Sequence, residues 1–153
     1  MNYKQQLQRY FHEYEKDHPG KTPTTTDVAA WMIKTKRWEP KSSDLISRCS
    51  EDISTALREE YRTDPMGRRY RVNHAVRSQQ GTFWAAMEVA TRSHMEKAFS
   101  QRRKQIVGDC VQLKTDVDVY NDKNTEERPI QVVFDFTDDV KEAQASGAHA
   151  DVA

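Results

Sequence analysis

Asp64-Pro65-Met66-Gly67-Arg68-Arg69-Tyr70-Arg71-Val72 is the stretch on which the reading of the fold turns. Pro65 presets the backbone for the front of a turn, and Gly67 takes the conformations that other residues avoid at its back. The flanks, Glu60-Tyr61-Arg62 and Arg69-Tyr70-Arg71-Val72, alternate in strand fashion, which predicts a small β-hairpin. Arg68, Arg69 and Arg71 crowd its tip, where an approaching polyanion would relieve their mutual repulsion.

Towards the N-terminus the spacing is helical. Tyr3, Leu7, Tyr10, Phe11 and Tyr14 mark one face of an amphipathic helix that ends at Asp17-His18-Pro19-Gly20. Thr24-Thr25-Thr26-Asp27 supplies capping hydroxyls and a first-turn carboxylate ahead of Val28, Ala29, Met32 and Ile33, predicting a short helix from about Thr26 to Lys36. Arg37-Trp38-Glu39-Pro40-Lys41 is a connector, because the residue before proline is pushed out of helical geometry. Ser42, Ser43 or Asp44 then caps a third helix running to about Glu60. Its apolar residues Leu45, Ile46, Cys49, Ile53, Ala56, Leu57 and Tyr61 gather on one side, and Ser43, Ser47, Arg48, Ser50, Glu51, Ser54, Thr55 and Arg58 on the other.

Towards the C-terminus, no proline interrupts Thr82 to Lys123, and one long helix or two collinear ones is expected there, with Gly108 as the weak point. Phe99, Ile106, Cys110, Leu113, Val117 and Tyr120 form a heptad-like seam along it, expected to serve oligomerisation. Ile130-Gln131-Val132-Val133-Phe134-Asp135-Phe136 reads as a strand that completes a sheet in the same chain or a partner. It also loosely resembles the short peptides that dock into sliding-clamp pockets. From Lys141 onward the chain has little to bury and is expected to be disordered.

The order helix, helix, connector, helix, Arg-rich hairpin resembles the winged helix-turn-helix family over about residues 3–77. The resemblance rests on Thr24 to Met32 as the first helix of the pair, Ser42 to Tyr61 as the second, and Asp64 to Val72 as the wing. The connector is longer than the tight turn of the simplest helix-turn-helix. The fold class expected is therefore mainly α: a winged helix-turn-helix-like domain with a small β-hairpin over 1–80, a long helix over 81–123, a short C-terminal strand within 124–140, and a tail over 141–153. In that family the second helix enters the major groove and the wing reaches the backbone or minor groove. The resemblance thus implies double-stranded DNA as partner and Lys41, Ser43, Ser47, Arg48, Ser50, Ser54, Arg58, Arg68, Arg69 and Arg71 as its contacts. It implies a sequence-specific or architectural DNA-binding protein, a transcriptional regulator or replication accessory of bacterial, phage or mobile-element type.

The charge distribution suits a polyanion binder. The formal net charge is +0, but residues 34–77 balance at +4, 78–107 at +3 and the last 46 at −7. Arg102-Arg103-Lys104, with Lys97, forms a second basic cluster that reads equally well as a phosphate contact or as the solvent side of a helix. The pair Phe83-Trp84 reads as core. Mean hydropathy is −0.96 and apolar residues make up 36%, lean for one large core but adequate for a compact domain with a long half-exposed helix.

An enzymatic role finds no support. The five glycines are isolated, so no phosphate-cradling loop exists, and the histidines His12, His18, His74, His94 and His149 lack metal-ligand spacing. Asp135, Asp138 and Asp139 read as a solvated edge. No catalytic residue, metal or cofactor is expected. Cys49 and Cys110 read as free thiols of a reducing cytoplasm, no run is apolar enough for a membrane, and the N-terminus lacks a secretory pattern. A homodimer through the seam is expected. An adaptor or structural subunit, binding a larger protein through the long helix and residues 130–136, is the alternative. Single-stranded nucleic-acid binding by the aromatics near basic residues is a weaker third reading.

Overall fold

The computed structural model describes residues 2–20 and 22–147. It is mainly helical (58%), with five helices and two antiparallel hairpins among the described residues. The order is α1 (Tyr3–Asp17), α2 (Thr25–Lys34), α3 (Ser42–Arg58), β1 (Tyr61–Thr63), β2 (Arg69–Arg71), β3 (Asn73–Ser78), β4 (Gly81–Ala86), α4 (Arg92–Lys123) and α5 (Thr137–Ser146). Two compact units result, Met1–Glu51 and Asp52–Ala153, so α3 starts in the first and its final residues belong to the second.

In the first unit, both helix starts carry reciprocal caps. The Asn2 side chain accepts from Gln5 N–H at 2.9 Å while the Gln5 amide oxygen accepts from Asn2 N–H at 2.9 Å. Thr24 and Asp27 do the same for α2, at 3.1 Å in each direction. Val28 and Met32, one turn apart on α2, are buried, each contributing roughly 2 kcal/mol of apolar burial. Around them Tyr14 meets Trp31 edge to face at 5.5 Å, and Arg37 lies 4.4 Å over the Trp31 ring with Nε 3.4 Å from Glu13. Trp38 Nε1 donates to the Tyr3 hydroxyl at 2.8 Å.

The end of α2 is a Schellman motif. Arg37 N–H reaches Met32 C=O at 2.9 Å and Lys36 N–H reaches Ile33 C=O at 3.1 Å, with Lys36 itself at φ 56°. Glycine holds that position at far lower cost. At the start of α3, the Asp44 carboxylate accepts from the Lys41 N–H at 2.6 Å.

The second unit begins with the expected hairpin. Tyr61 pairs with Arg71, Arg62 with Tyr70, and Thr63 with Arg69. Its turn is organised by Asp64, whose carboxylate accepts from Met66 N–H (3.0 Å), Arg68 N–H (2.8 Å) and Arg68 Nε (2.7 Å). Gly67 sits at φ 80°. The Arg68 backbone N–H, then its side chain and the Met66 N–H, hold the Asp64 carboxyl below its ordinary range.

A second hairpin follows where a long helix was expected from Thr82. β3 and β4 pair from Asn73 with Ala86 to Ser78 with Gly81, across a two-residue loop. The helix begins only at Arg92, where Thr91 Oγ1 accepts from His94 N–H at 3.1 Å, and it then runs unbroken through Gly108 to Lys123. Two further expectations are corrected. Residues 129–136 form no strand and pair with none among the described residues, and α5 occupies 137–146, within the region expected to be an extended segment and a disordered tail. Residues 148–153 of that tail lie outside the described residues. The apolar side of α3 is open rather than packed: Leu45, Ile46 and Ile53 are exposed, and α3 has no buried residue.

The core of the second unit lies where α4 crosses β3. Ala98 is 0% exposed and Val72 3%. His74, at 4%, donates from Nε2 to the Arg71 carbonyl at 2.9 Å and meets Phe99 edge to face at 5.4 Å. His94 Nε2 donates to the His74 carbonyl at 2.8 Å. Gln101 accepts from Arg77 N–H at 2.8 Å and donates to Arg77 C=O at 3.0 Å.

Burial pushes the His74 imidazole below its ordinary value, and the charges of Arg102, Arg71 and His94 act the same way, against the Arg71 carbonyl that raises it. A histidine with a depressed folded-state value binds fewer protons folded than unfolded. Stability is therefore full above the unfolded value near 6.5 and falls as pH drops below it. The thermal midpoint of the full chain should decline between pH 7 and 5, with a shallower slope in His74→Gln; equal slopes would contradict this. Lys36→Gly should raise the urea midpoint, by about 0.5–1 kcal/mol of stability, through relief of the left-handed position; a lower midpoint would count against that strain.

Candidate nucleic-acid interface

Five secondary-structure elements, α3, β2, β3, β4 and α4, supply residues to one cavity of about 190 Å³ within the second unit. The last two turns of α3 give Ser54 and Arg58, four residues apart. Alternate residues of β3 give Asn73, Ala75 and Arg77, and their cross-strand partners on β4 give Trp84 and Thr82. α4 gives Ala98, Gln101, Arg102 and Gln105, the i, i+3, i+4, i+7 series of one helix face. Arg71 and His74 complete the lining.

Arg58, Arg71, Arg77 and Arg102 are four cations in this lining, and no carboxylate lines it. Among the described residues, no Asp or Glu pairs with any of these four arginines. Arg58 instead lies 5.6 Å over the Trp84 ring, and Arg71 Nε donates to the Tyr61 hydroxyl at 3.3 Å. Partial removal from water pushes the Arg102 guanidinium below its ordinary value, and the charge of Arg71 adds to this, while Tyr61 opposes it. Guanidinium groups gathered without counter-ions in a concave site make a receptor for a phosphate or a comparable anion, which each can clasp through two N–H groups.

The β1–β2 hairpin sorts charge by face. Arg62 reaches Glu88 at 3.1 Å and Glu60 at 3.7 Å, and the Tyr70 hydroxyl is 3.3 Å from Glu88. The opposite face carries Tyr61 and Arg71. The hairpin thereby holds Glu88 on the face opposite Arg71, while Glu60 also accepts from the side-chain amide of Asn73 in the lining at 2.8 Å.

Of the residues expected to contact DNA, Ser54, Arg58 and Arg71 line the cavity. Lys41, Ser43, Ser47, Arg48 and Ser50 are exposed along the start of α3 and belong to the first unit. Arg68 is tied to Asp64 at the turn, and Arg69 lies 4.2 Å over the Tyr61 ring; neither joins the cavity. Of the seam residues, Phe99, Ile106, Leu113 and Tyr120 are about half exposed, whereas Cys110 and Val117 are half-buried.

Arg77, Trp84 and Gln101 went unread in the sequence as site residues, because their convergence depends on the second hairpin. Arg102 was visible within a basic cluster whose facing could not be decided without β3. Among the described residues, no group of three or more His, Cys, Asp or Glu side chains is placed to hold a metal ion. No helix is long and apolar enough to cross a membrane. Comparison with protein-family models, with curated proteins and with solved structures finds no match to this chain.

An anion that settles among the four guanidinium groups should stabilise the fold. Replacing chloride by sulfate or phosphate at equal ionic strength should raise the thermal midpoint by about 3–5 °C, and Arg102→Gln should shrink that rise. An equal rise in the variant would disconnect the effect from the cavity.

Proposed function

We propose that this chain is a non-enzymatic protein that binds double-stranded DNA through its phosphate backbone. The observation that carries this reading is the cavity lined by Arg58, Arg71, Arg77 and Arg102 with no carboxylate in its wall. Most protein–DNA hydrogen bonds go to phosphate and sugar, and arginine is the residue suited to clasping phosphate. The order α1, α2, α3, β1, β2 supports assigning the first half to a winged helix-turn-helix domain, with α2 and α3 as the helix pair and Asp64–Val72 as the wing. The exposed hydroxyls of Ser43, Ser47 and Ser50, with Arg48 and Lys41, supply a further polar surface on α3 for the duplex. The binding needs no metal or cofactor.

Duplex is favoured over single strand by the state of Trp84. Its ring is half-buried in the hairpin and carries Arg58 on one face, so it does not offer the open platform on which unpaired bases stack.

The test is a salt-titrated anisotropy measurement on the full chain with a labelled duplex of about 25 base pairs, enough for a bound module. Arg58→Ala combined with Arg77→Ala should weaken binding about 10- to 100-fold at low salt and reduce the slope of log affinity against log salt by about 2. Arg68→Ala, which removes a side chain committed to Asp64, should change affinity by no more than about 2-fold. Undiminished binding by the double variant would overturn the assignment.

The adaptor reading is favoured by one observation, the exposure of Ile130, Val133 and Phe136 on a segment that forms neither helix nor strand. No DNA binding at low salt, together with a larger protein that co-purifies and is lost on Val133→Asp, would establish it instead.

A further inference from the structure

α4 has 32 residues and one of them, Ala98, is buried. Along it one set of apolar residues recurs at intervals of seven, Phe99, whose edge also meets His74 of β3, then Ile106, Leu113 and Tyr120, with Cys110 and Val117 set four after Ile106 and Leu113. The four are 49%, 56%, 45% and 47% exposed, so nothing in the chain's own fold covers them fully. At 100° per residue, Ala98 and Gln101 lie about 100° and 160° around the helix from Phe99. The stripe is therefore free to receive a partner without displacing the hairpin. A heptad stripe is the geometry that accepts a second helix along its length.

Charge identifies the partner and its direction. Intrachain pairs join Arg92 to Glu96 at 2.8 Å and Lys114 to Asp118 at 2.7 Å. What is left is basic from Lys97 through Arg102, Arg103 and Lys104, and mainly acidic beyond, with Asp109, Asp116 and Asp122 against Lys123 at the last position. Such a helix complements itself only when reversed. In a parallel pair, Arg103, which sits on the stripe four residues after Phe99, would face its own copy. In an antiparallel pair it faces the acidic end. We propose that a second copy of this chain packs on the Phe99–Tyr120 stripe, with the two α4 helices antiparallel about a two-fold axis.

Light scattering on the full chain should give twice the 17.8 kDa of one chain. Ile106→Glu with Leu113→Glu should raise the dimer dissociation constant by about 100-fold or more. Both side chains are about half exposed in the single chain, so the variant should keep its circular dichroism in the hairpin and aromatic bands. Direction is read by a spin label at Lys123→Cys with Cys49 and Cys110 replaced by Ala. An antiparallel overlay of the stripe on itself puts the labels about 40 Å apart, against less than about 20 Å for a parallel pair. A single-chain mass for the unmodified protein, or a double mass kept by the glutamate variant, would overturn the interface. A short label distance would overturn the antiparallel arrangement. None of these readouts involves DNA, so the dimer stands or falls apart from the nucleic-acid reading.

Discussion

The packing of α4 on β3, with Ala98 left fully buried, sets the geometry on which the second unit depends. With no accessible surface left on Ala98, the helix lies close enough to the strand for short side chains to bridge the two backbones. His94 spans to the His74 carbonyl and Gln101 to both polar groups of Arg77. A larger side chain at position 98 would lift the helix from the strand and lengthen those bridges together. The same close approach brings Arg102 and Gln105, on the next turns of α4, over the face of the hairpin that carries Asn73, Arg77 and Trp84.

That geometry carries a cost: burial first, and neighbouring positive charge after it, push the Arg102 guanidinium and the His74 imidazole below their ordinary values. Gathering cations without counter-ions is unfavourable unless something else holds them. Here the restraint comes from the Trp84 ring beneath Arg58 and the Tyr61 hydroxyl on Arg71. Burial first, then the charges of Arg102 and Arg71, push His74 towards its neutral form, against the Arg71 carbonyl that its Nε2–H meets. A residual repulsion of this kind is what a bound polyanion would relieve.

Local signals carried a large part of the fold. The caps at Thr24 and Asp27, the proline and glycine after α1, and the Asp64–Gly67 turn are interactions between near neighbours, so their residues can be recognised in the chain itself. The β3–β4 hairpin was hidden for two reasons. Its loop, Gln79-Gln80, lacks the usual turn residues, and Phe83, Met87 and Ala90 fall by chance at helical spacing. Residues 130–136 have strand composition, but a strand needs a partner edge, which composition cannot supply. α5 contains Ala143, Gln144 and Ala145, good helix formers with little to bury, so hydrophobic periodicity passed over it. At the site, Arg58 and Arg71 were legible as exposed cations near a turn. Arg77 and Gln101 were not, because only the pairing of distant elements brings them to one wall.

The amide of Gln101 does more than hold the helix in place. β3 pairs with β4 along one edge, and at Arg77 the other edge presents an N–H and a C=O to whatever comes alongside. A neighbouring strand would offer those groups one acceptor and one donor, and the Gln101 side chain offers the same pair. In effect it is a strand one residue long, supplied by a helix, that terminates the sheet from within. An exposed edge is where unrelated chains add on and aggregation starts. At Arg77, beside the open arginine face, a further strand alongside β3 finds that N–H and C=O pair already taken.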